Sequence, residues 1–377
     1  MSPTILLQQI YHLSDVELAL LLSLATHEHP ILTTPAAHID TLIRELSLIA
    51  SKTFRLTHAV VHCTPSTTLD DFTSALLIPS ATAFRLQEEK PNNASVSSVS
   101  SVSSVSSSSP SPHHPSDQIA NCILAPNLNL APRTVQLQTL ELLRTRRIFT
   151  HTSVQTAPKR FLFIPILGTD APGGAFPPLN PHLIDYFALA HWHDPQDGYV
   201  NIEAGQEQEE VRQGEEEQQQ QQQQQDGEAS SGSSIVRRED RNSSLSAVFI
   251  SDKDIHHLAH LSQQVEIDID ITRYQMNIIS FLRIHRAVQD GITPAATKHF
   301  TKLMRCLASM HSLDYVTPAL VGLAAKKTYL HRIRITAPEN ERSMQWGSDV
   351  RAVAALLDQV GPEQVIDDVL NTVAAPI

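Results

Sequence analysis

Three short clusters in this sequence carry side chains of a type and spacing suited to chemistry. In "HWHD", His191 and His193 stand two residues apart beside Asp194. On a strand, i and i+2 share a face, so the two imidazoles could hold a metal ion together with the carboxylate. No third, distant ligand is identifiable, and the competing reading makes both histidines polar loop residues around a buried Trp192. In "VEIDIDITRY", residues 265–274, Glu266, Asp268 and Asp270 are spaced like paired carboxylates for acid/base work. Their period-two alternation with Val265, Ile267 and Ile269 fits an extended or irregular lead-in whose carboxylates are solvated. Lys52 in "SKT" is the type of residue that reaches phosphates, yet no glycine precedes it and it follows a predicted helix. His27, His29, His256 and His257 read as solvent-facing residues at helix ends. Neither a GxSxG elbow nor an activated cysteine setting is visible, and Cys63 and Cys122 lie on predicted strands as core residues.

The elements that must position these groups are bounded by composition. A chain of 377 residues holds one large domain plus a small one. A hydrophobic content of 41% with only 5% aromatics fits a helix-rich globular protein interrupted by polar insertions. The net charge of -12 argues against a nucleic-acid-binding surface, although much of that acidity sits in one stretch. Cys63, Cys122 and Cys306 are far apart and odd in number, which supports neither a disulfide framework nor a zinc module; a reducing compartment is expected. No apolar run approaches the ~18 residues needed to span a bilayer. "MSPTILLQQIYHLSD" has no basic region before its apolar residues, so no secretory signal is expected. The expected location is cytoplasmic, with the nucleus as the other possibility.

Two insertions divide the chain. Residues 89–117 contain a Ser/Val repeat, and residues 202–246 are rich in Glu and Gln; neither composition buries enough apolar surface to offset chain entropy, so both are expected to be disordered. Such repeats are common in eukaryotic proteins. In residues 3–88, Ser14 and Glu17 form a predicted capping box for a first helix. A second helix spans "AHIDTLIRELSLIASKTF", followed by a strand in "THAVVHCT" and a helical turn in "TTLDDFTSALLIP". Residues 118–201 read strand, helix, fully buried strand ("RFLFIPILG"), then a helix-to-strand transition in "PHLIDYFALAHWH". This alternation predicts an α/β fold with a parallel sheet and helices on both faces. Residues 250–335 predict an all-α unit held by Ile278, Phe281, Leu282, Leu303, Leu320 and Leu323, and residues 336–377 a helical tail.

Within the all-α unit, "GITPAATKHF" is followed by "LDYVTPALVGLAAKKTYLHRIRI", residues 313–335. Thr317 is a good N-cap and Pro318 fits the first helical position. Leu320, Val321, Leu323, Ala324 and Leu330 form an apolar stripe, with His331 and Arg332 in a basic last turn. The pair of motifs resembles the helical lid of AAA+ proteins of the MoxR and magnesium-chelatase subunit I type, where "GxSPRA" precedes "DYVTPxDV". "ILAPNLNLAPRTVQLQTLELLRTRRI" is similar to the Walker B segment of that family, keeping Asn129, Ala131, Pro132, Val135, Gln136, Leu140, Glu141 and Arg146 in register, with Thr139 in place of a leucine. "FLFIPILGT", residues 161–169, and "PLNPHLIDYF", residues 178–187, resemble the two elements that follow.

The resemblance implies an AAA+-like core with a C-terminal lid and lateral assembly into homo- or hetero-oligomers with protein partners, not with nucleic acid or membrane. It also locates departures. The Walker B acids, which hold Mg²⁺ and orient water, fall on Pro126 and Asn127, and neither can serve. The sensor asparagine falls near Gly168, and two family arginines fall on Tyr186 and Ala295. The Walker A pattern "GxPGxxKT" matches "TTPAAHID", residues 33–40, where Thr33 and Ala36 replace glycines and Ile39 replaces the lysine. The expectation is a pseudo-ATPase that needs no cofactor and serves as a non-catalytic subunit, scaffold or adaptor. The alternative is an active chelatase-type subunit using ATP and Mg²⁺; a third reading is an interaction module built on the lid and tail alone.

Overall fold

The computed structural model describes residues 8–78, 118–150, 154–174, 176–206 and 249–376. Five parallel strands, β1 (His29–Thr34), β2 (His58–Val60), β3 (Cys122–Pro126), β4 (Leu162–Gly168) and β5 (Phe187–Trp192), form a sheet in the order β2-β3-β4-β1-β5. Alternate residues feed two cores, as the pleat requires. Cys122, Leu124, Leu162, Ile164 and Ile166 face α1 (Asp15–Thr26) and α2 (Ile39–Leu48), whereas Ile123, Ala125, Phe163 and Leu167 face α3 (Leu69–Ala75) and α4 (Arg133–Thr145). The Ser14–Glu17 capping box is formed, and α2 buries Ile39, Leu42, Ile43 and Leu46 on its apolar stripe. The expected α/β class with flanking helices and a helical C-terminal unit is the observed one.

Pro165 lies inside β4, a central strand, where a missing N–H interrupts a ladder. β4 pairs with β3 from Leu162 to Ile166 but with β1 only from Ile166 to Gly168. The N–H of Phe163, before the proline, donates instead to Nδ1 of His29 at 3.2 Å. His29 is therefore buried on β1 and not exposed at a helix end; burial pushes its imidazole down to about 4, in keeping with a neutral acceptor. His27, His256 and His257 are exposed, as expected, but only His27 stands at a helix end; His256 and His257 lie within the helix Asp252–Gln264. All three cysteines are buried free thiols pushed up to about 12 by desolvation, which leaves them inert core residues.

Both insertions have stems pinned to the fold. Leu77–Ile78 pairs antiparallel with Gln118–Ile119, holding the two ends of the first side by side. Before the second, residues 200–206 are helical: the backbone N–H groups of Asn201 and Ile202 donate to the buried carboxylate of Glu45 at 2.9 and 3.0 Å. Residues 202–206 thus belong to the ordered core, because Glu45 and Glu17 bind the start of that helix; the remaining insertion residues lie outside the described set. After it, the Ile250 N–H bonds the carbonyl of Thr53, at the π-helical end of α2.

The helical unit contains α5 (Asp252–Gln264), α6 (Ile269–Ile284), α7 (Pro294–Met310) and α8 (Pro318–Tyr329), followed by α9 (Val350–Leu357) and α10 (Pro362–Thr372). Thr317 caps α8 through the Leu320 N–H, with Pro318 at its start. Ile278, Leu282, Leu303 and Leu320 are buried as expected. Phe281 and Leu323 are not: they are 39% and 42% exposed, because each helix turns a different part of its broad apolar stripe inward. The tail is integral, since Val365, Ile366 and Val369 of α10 join the same core and α10 packs on α6 and α8. One continuous core joins the α1/α2 face of the sheet to this unit.

Candidate functional site

In sheets of this topology, ligands gather at the carboxyl edge of the strands. Here β1 leads into α2 through Pro35 and a single 3-10 turn, Ala36–His38. No residue between Thr34 and Asp40 has positive φ, so the backbone N–H groups cannot curl into an anion nest. Ile39, in the position expected of a phosphate-reaching lysine, is buried in the core. Ala36 instead packs on the end of β4: a Cβ placed on Gly168 would lie 3.1 Å from its Cβ. At the end of β3, Pro126 is buried, and Asn127 is left-handed with its N–H on the carbonyl of Ile166 at 2.8 Å. The hydroxyls of Thr34 and Thr169 and the amide oxygen of Asn129 are buried at this edge without partners among the described residues. All three are neutral. The structure thus brings Thr33, Ala36, Ile39, Pro126, Asn127 and Gly168 to one edge, as the motif order implied, but with neither a cation nor a carboxylate among them. Lys52 is exposed at the opposite end of α2.

The "HWHD" cluster is taken apart by the fold. His191 and His193 are buried while Trp192 is half-buried, the reverse of the loop reading, because β5 extends through Trp192 and Thr33 holds the next residue: the His193 N–H donates to its carbonyl at 2.9 Å. His193 packs against the Tyr199 ring, with centroids 5.0 Å apart. Asp194 is used as the cap of the next turn, accepting from the Gln196 N–H at 3.0 Å. Among the described residues, no group of three or more His, Cys, Asp or Glu side chains is placed to hold a metal ion. In "VEIDID", Asp268 caps α6 and Asp270 pairs with Arg273 at 2.9 Å, both in solvent.

Two features were not legible from the motifs. His191 lines a cleft of about 580 Å³ between α1 and the lid helices α7 and α8, where Lys327 Nζ lies 3.2 Å from its Nδ1. Burial, reinforced by the Lys327 charge, pushes His191 down to about 3, so the neutral ring accepts from the ammonium. Burial also lowers Lys327, while the charge of Asp15 opposes that shift. On the other side of α8, Arg332 donates to the Phe187 carbonyl at 2.7 Å and to His299 Nδ1 at 2.8 Å, and the neighbouring His331 Nε2 donates to the same carbonyl at 2.7 Å. His299 in turn meets Glu28, which also pairs with Lys302. Burial alone would push the Glu28 carboxyl up; the hydrogen bonds and charges of His299 and Lys302 outweigh it and hold it at about 2. His331 and Arg332 therefore fasten the lid to β5 instead of merely complementing a helix dipole.

Residues 280–353 match the family described as the AAA lid domain, a span from the end of α6 through α7 and α8 into α9 and so beyond residue 335. The chain is thus an α/β fold, a five-stranded parallel sheet flanked by helices, followed by a helical C-terminal unit that matches the AAA lid domain. A crystal structure described as "a putative ATPase" from Cytophaga hutchinsonii ATCC 33406 superposes with a TM-score of 0.58 at 14% identity, covering 99% of this chain and 94% of that one. A full-length MCM homolog from Methanopyrus kandleri matches at 10% identity and a TM-score of 0.44, over 88% of this chain and 59% of that one, too remote to inform function. No curated protein matches in sequence.

Proposed function

We propose that this chain is an AAA+ protein of the magnesium-chelatase/MoxR type that has lost ATP hydrolysis and acts as a non-catalytic subunit or adaptor in a protein assembly. The observation that carries this reading is the β1–α2 junction. Its residues have no nest geometry, Ile39 is buried where a lysine would reach phosphate, and Ala36 rests on Gly168. Phosphoryl transfer depends on positioning and on neutralising the phosphate charge, and Pro126 and Asn127 offer no metal anchor at the adjoining strand end. What remains is the AAA+-like architecture, and the resemblance to AAA+ proteins, which assemble laterally, implies assembly with copies of itself or with related subunits. The latch of Arg332 and His331 on β5 supports a scaffold role, since it ties lid and sheet into one body.

The test is calorimetric titration of the full chain with ATP and Mg²⁺, with phosphate release measured in parallel. No binding below the millimolar range and no turnover above background are expected. Micromolar binding, or turnover lost in Lys52→Ala, would promote the active chelatase-type ATPase instead.

A further inference from the structure

The open cleft beneath α8 joins a large apolar lining to a partly buried cation. Leu22, Leu189, Leu303, Leu307 and Met310 supply the walls, from α1, β5 and α7. Its volume of about 580 Å³ falls within the few hundred to one thousand Å³ typical of small-molecule sites. Lys327 enters from α8, one turn beyond Leu323 on the same face. The ammonium contacts His191 alone; no carboxylate lies within salt-bridge reach of it among the described residues, whereas its neighbour Lys326 is paired with Asp367 at 2.6 Å. With Nδ1 of His191 accepting from Lys327, the ring proton sits on Nε2, a buried atom without a partner among the described residues. Asp15 and His311 also line the cleft, both exposed, so the Asp15 charge is screened by solvent.

We propose that this cleft binds a small amphipathic acid, its apolar body against the leucines and its carboxylate on Lys327. The chemistry selects against the other classes. A polyphosphate would find a single lysine to offset several charges, a cation would be repelled by Lys327, and a neutral hydrocarbon would leave a desolvated ammonium without a counter-charge. The proposal is independent of the loss of ATP turnover, which concerns the sheet edge.

The probe is dodecanoate, titrated calorimetrically into the full chain below its micelle concentration, with dodecanol and adenosine as comparison ligands. Dodecanoate should bind once per chain, and dodecanol at least tenfold more weakly. Lys327→Met should remove that preference, and Leu323→Trp, at a half-exposed wall position, should abolish binding of both. Circular dichroism melting checks that each variant folds, and Lys327→Gln makes the same comparison should Lys327→Met not fold. Absence of dodecanoate binding, or binding indifferent to both substitutions, overturns the proposal. Displacement of dodecanoate by adenosine would also overturn it, by marking the cleft as a nucleobase pocket, and so would an acidic apolar peptide that binds where dodecanoate does not.

Discussion

Ala36 occupies the space in front of Gly168: a Cβ on the glycine would meet the Ala36 Cβ at 3.1 Å and its Cα at 3.2 Å. The turn after β1 is thus packed onto the end of β4. Gly168→Val should overpack the junction and destabilise the fold by about 1–3 kcal/mol in urea unfolding. Adding Ala36→Gly should recover part of the loss. Full additivity of the two changes would mean that the two residues do not touch.

Acid should destabilise the protein through histidines before it protonates carboxylates. Burial holds His29 at about 4, His191 at about 3 and His331 well below the ordinary value of 6.5. A depressed folded-state pKa means that the unfolded chain binds protons the folded one refuses. Stability is therefore fully present above about pH 6.5 and falls as the pH drops toward 4, by about 3 kcal/mol from His29 alone. His29→Gln retains an acceptor for the Phe163 N–H and does not titrate, so its stability should vary less between pH 7 and 5. An unchanged slope in urea titrations would remove His29 from this account.

The lid latch predicts an asymmetry between two basic residues. Arg332 serves Phe187, His299 and the carbonyl of Thr328, the last at 2.6 Å. Lysine cannot reproduce that fork. Arg332→Lys should cost roughly 1–3 kcal/mol, as expected for lost charge-assisted bonds to buried acceptors. It should also raise the rate of proteolytic cleavage within α7 and α8. Equal protease resistance in wild type and variant would place the lid's attachment elsewhere.

Helix α6 offers an internal control. Ile278 is fully buried and should lose about 2–5 kcal/mol on truncation to alanine. Phe281, three residues on, sits 39% exposed beside Ile284 and α10, and Phe281→Ala should cost under about 1 kcal/mol. Thermal melts of both variants decide between this arrangement and a filled Phe281 site.

What could be read in advance was local. Ser14–Glu17 and Thr317–Pro318 carry their geometry in adjacent residues, and the run from Leu162 to Gly168 is apolar enough to declare a buried strand. β1 went unread because "HPILTT" begins with a histidine and a proline and ends in two threonines; only the partner strand reveals that His29 substitutes for a missing backbone acceptor. Periodicity placed Phe281 and Leu323 on apolar stripes but could not choose which part of each stripe the neighbouring helices cover. The Lys327–His191 contact joins residues 136 apart in sequence, and the Arg332 latch joins residues 145 apart; neither leaves a trace in local spacing.

The clamped stems have a genetic consequence. Leu77–Ile78 and Gln118–Ile119 are held together by their own ladder, and Ile202 and Ile250 are both tied to α2. Loop closure is thus secured by contacts that do not involve the intervening repeats, and for a flexible chain a doubling of length adds only about 0.6 kcal/mol. A change in the number of repeats between the stems would therefore leave these four attachment points, and the ladder and hydrogen bonds that form them, unaltered.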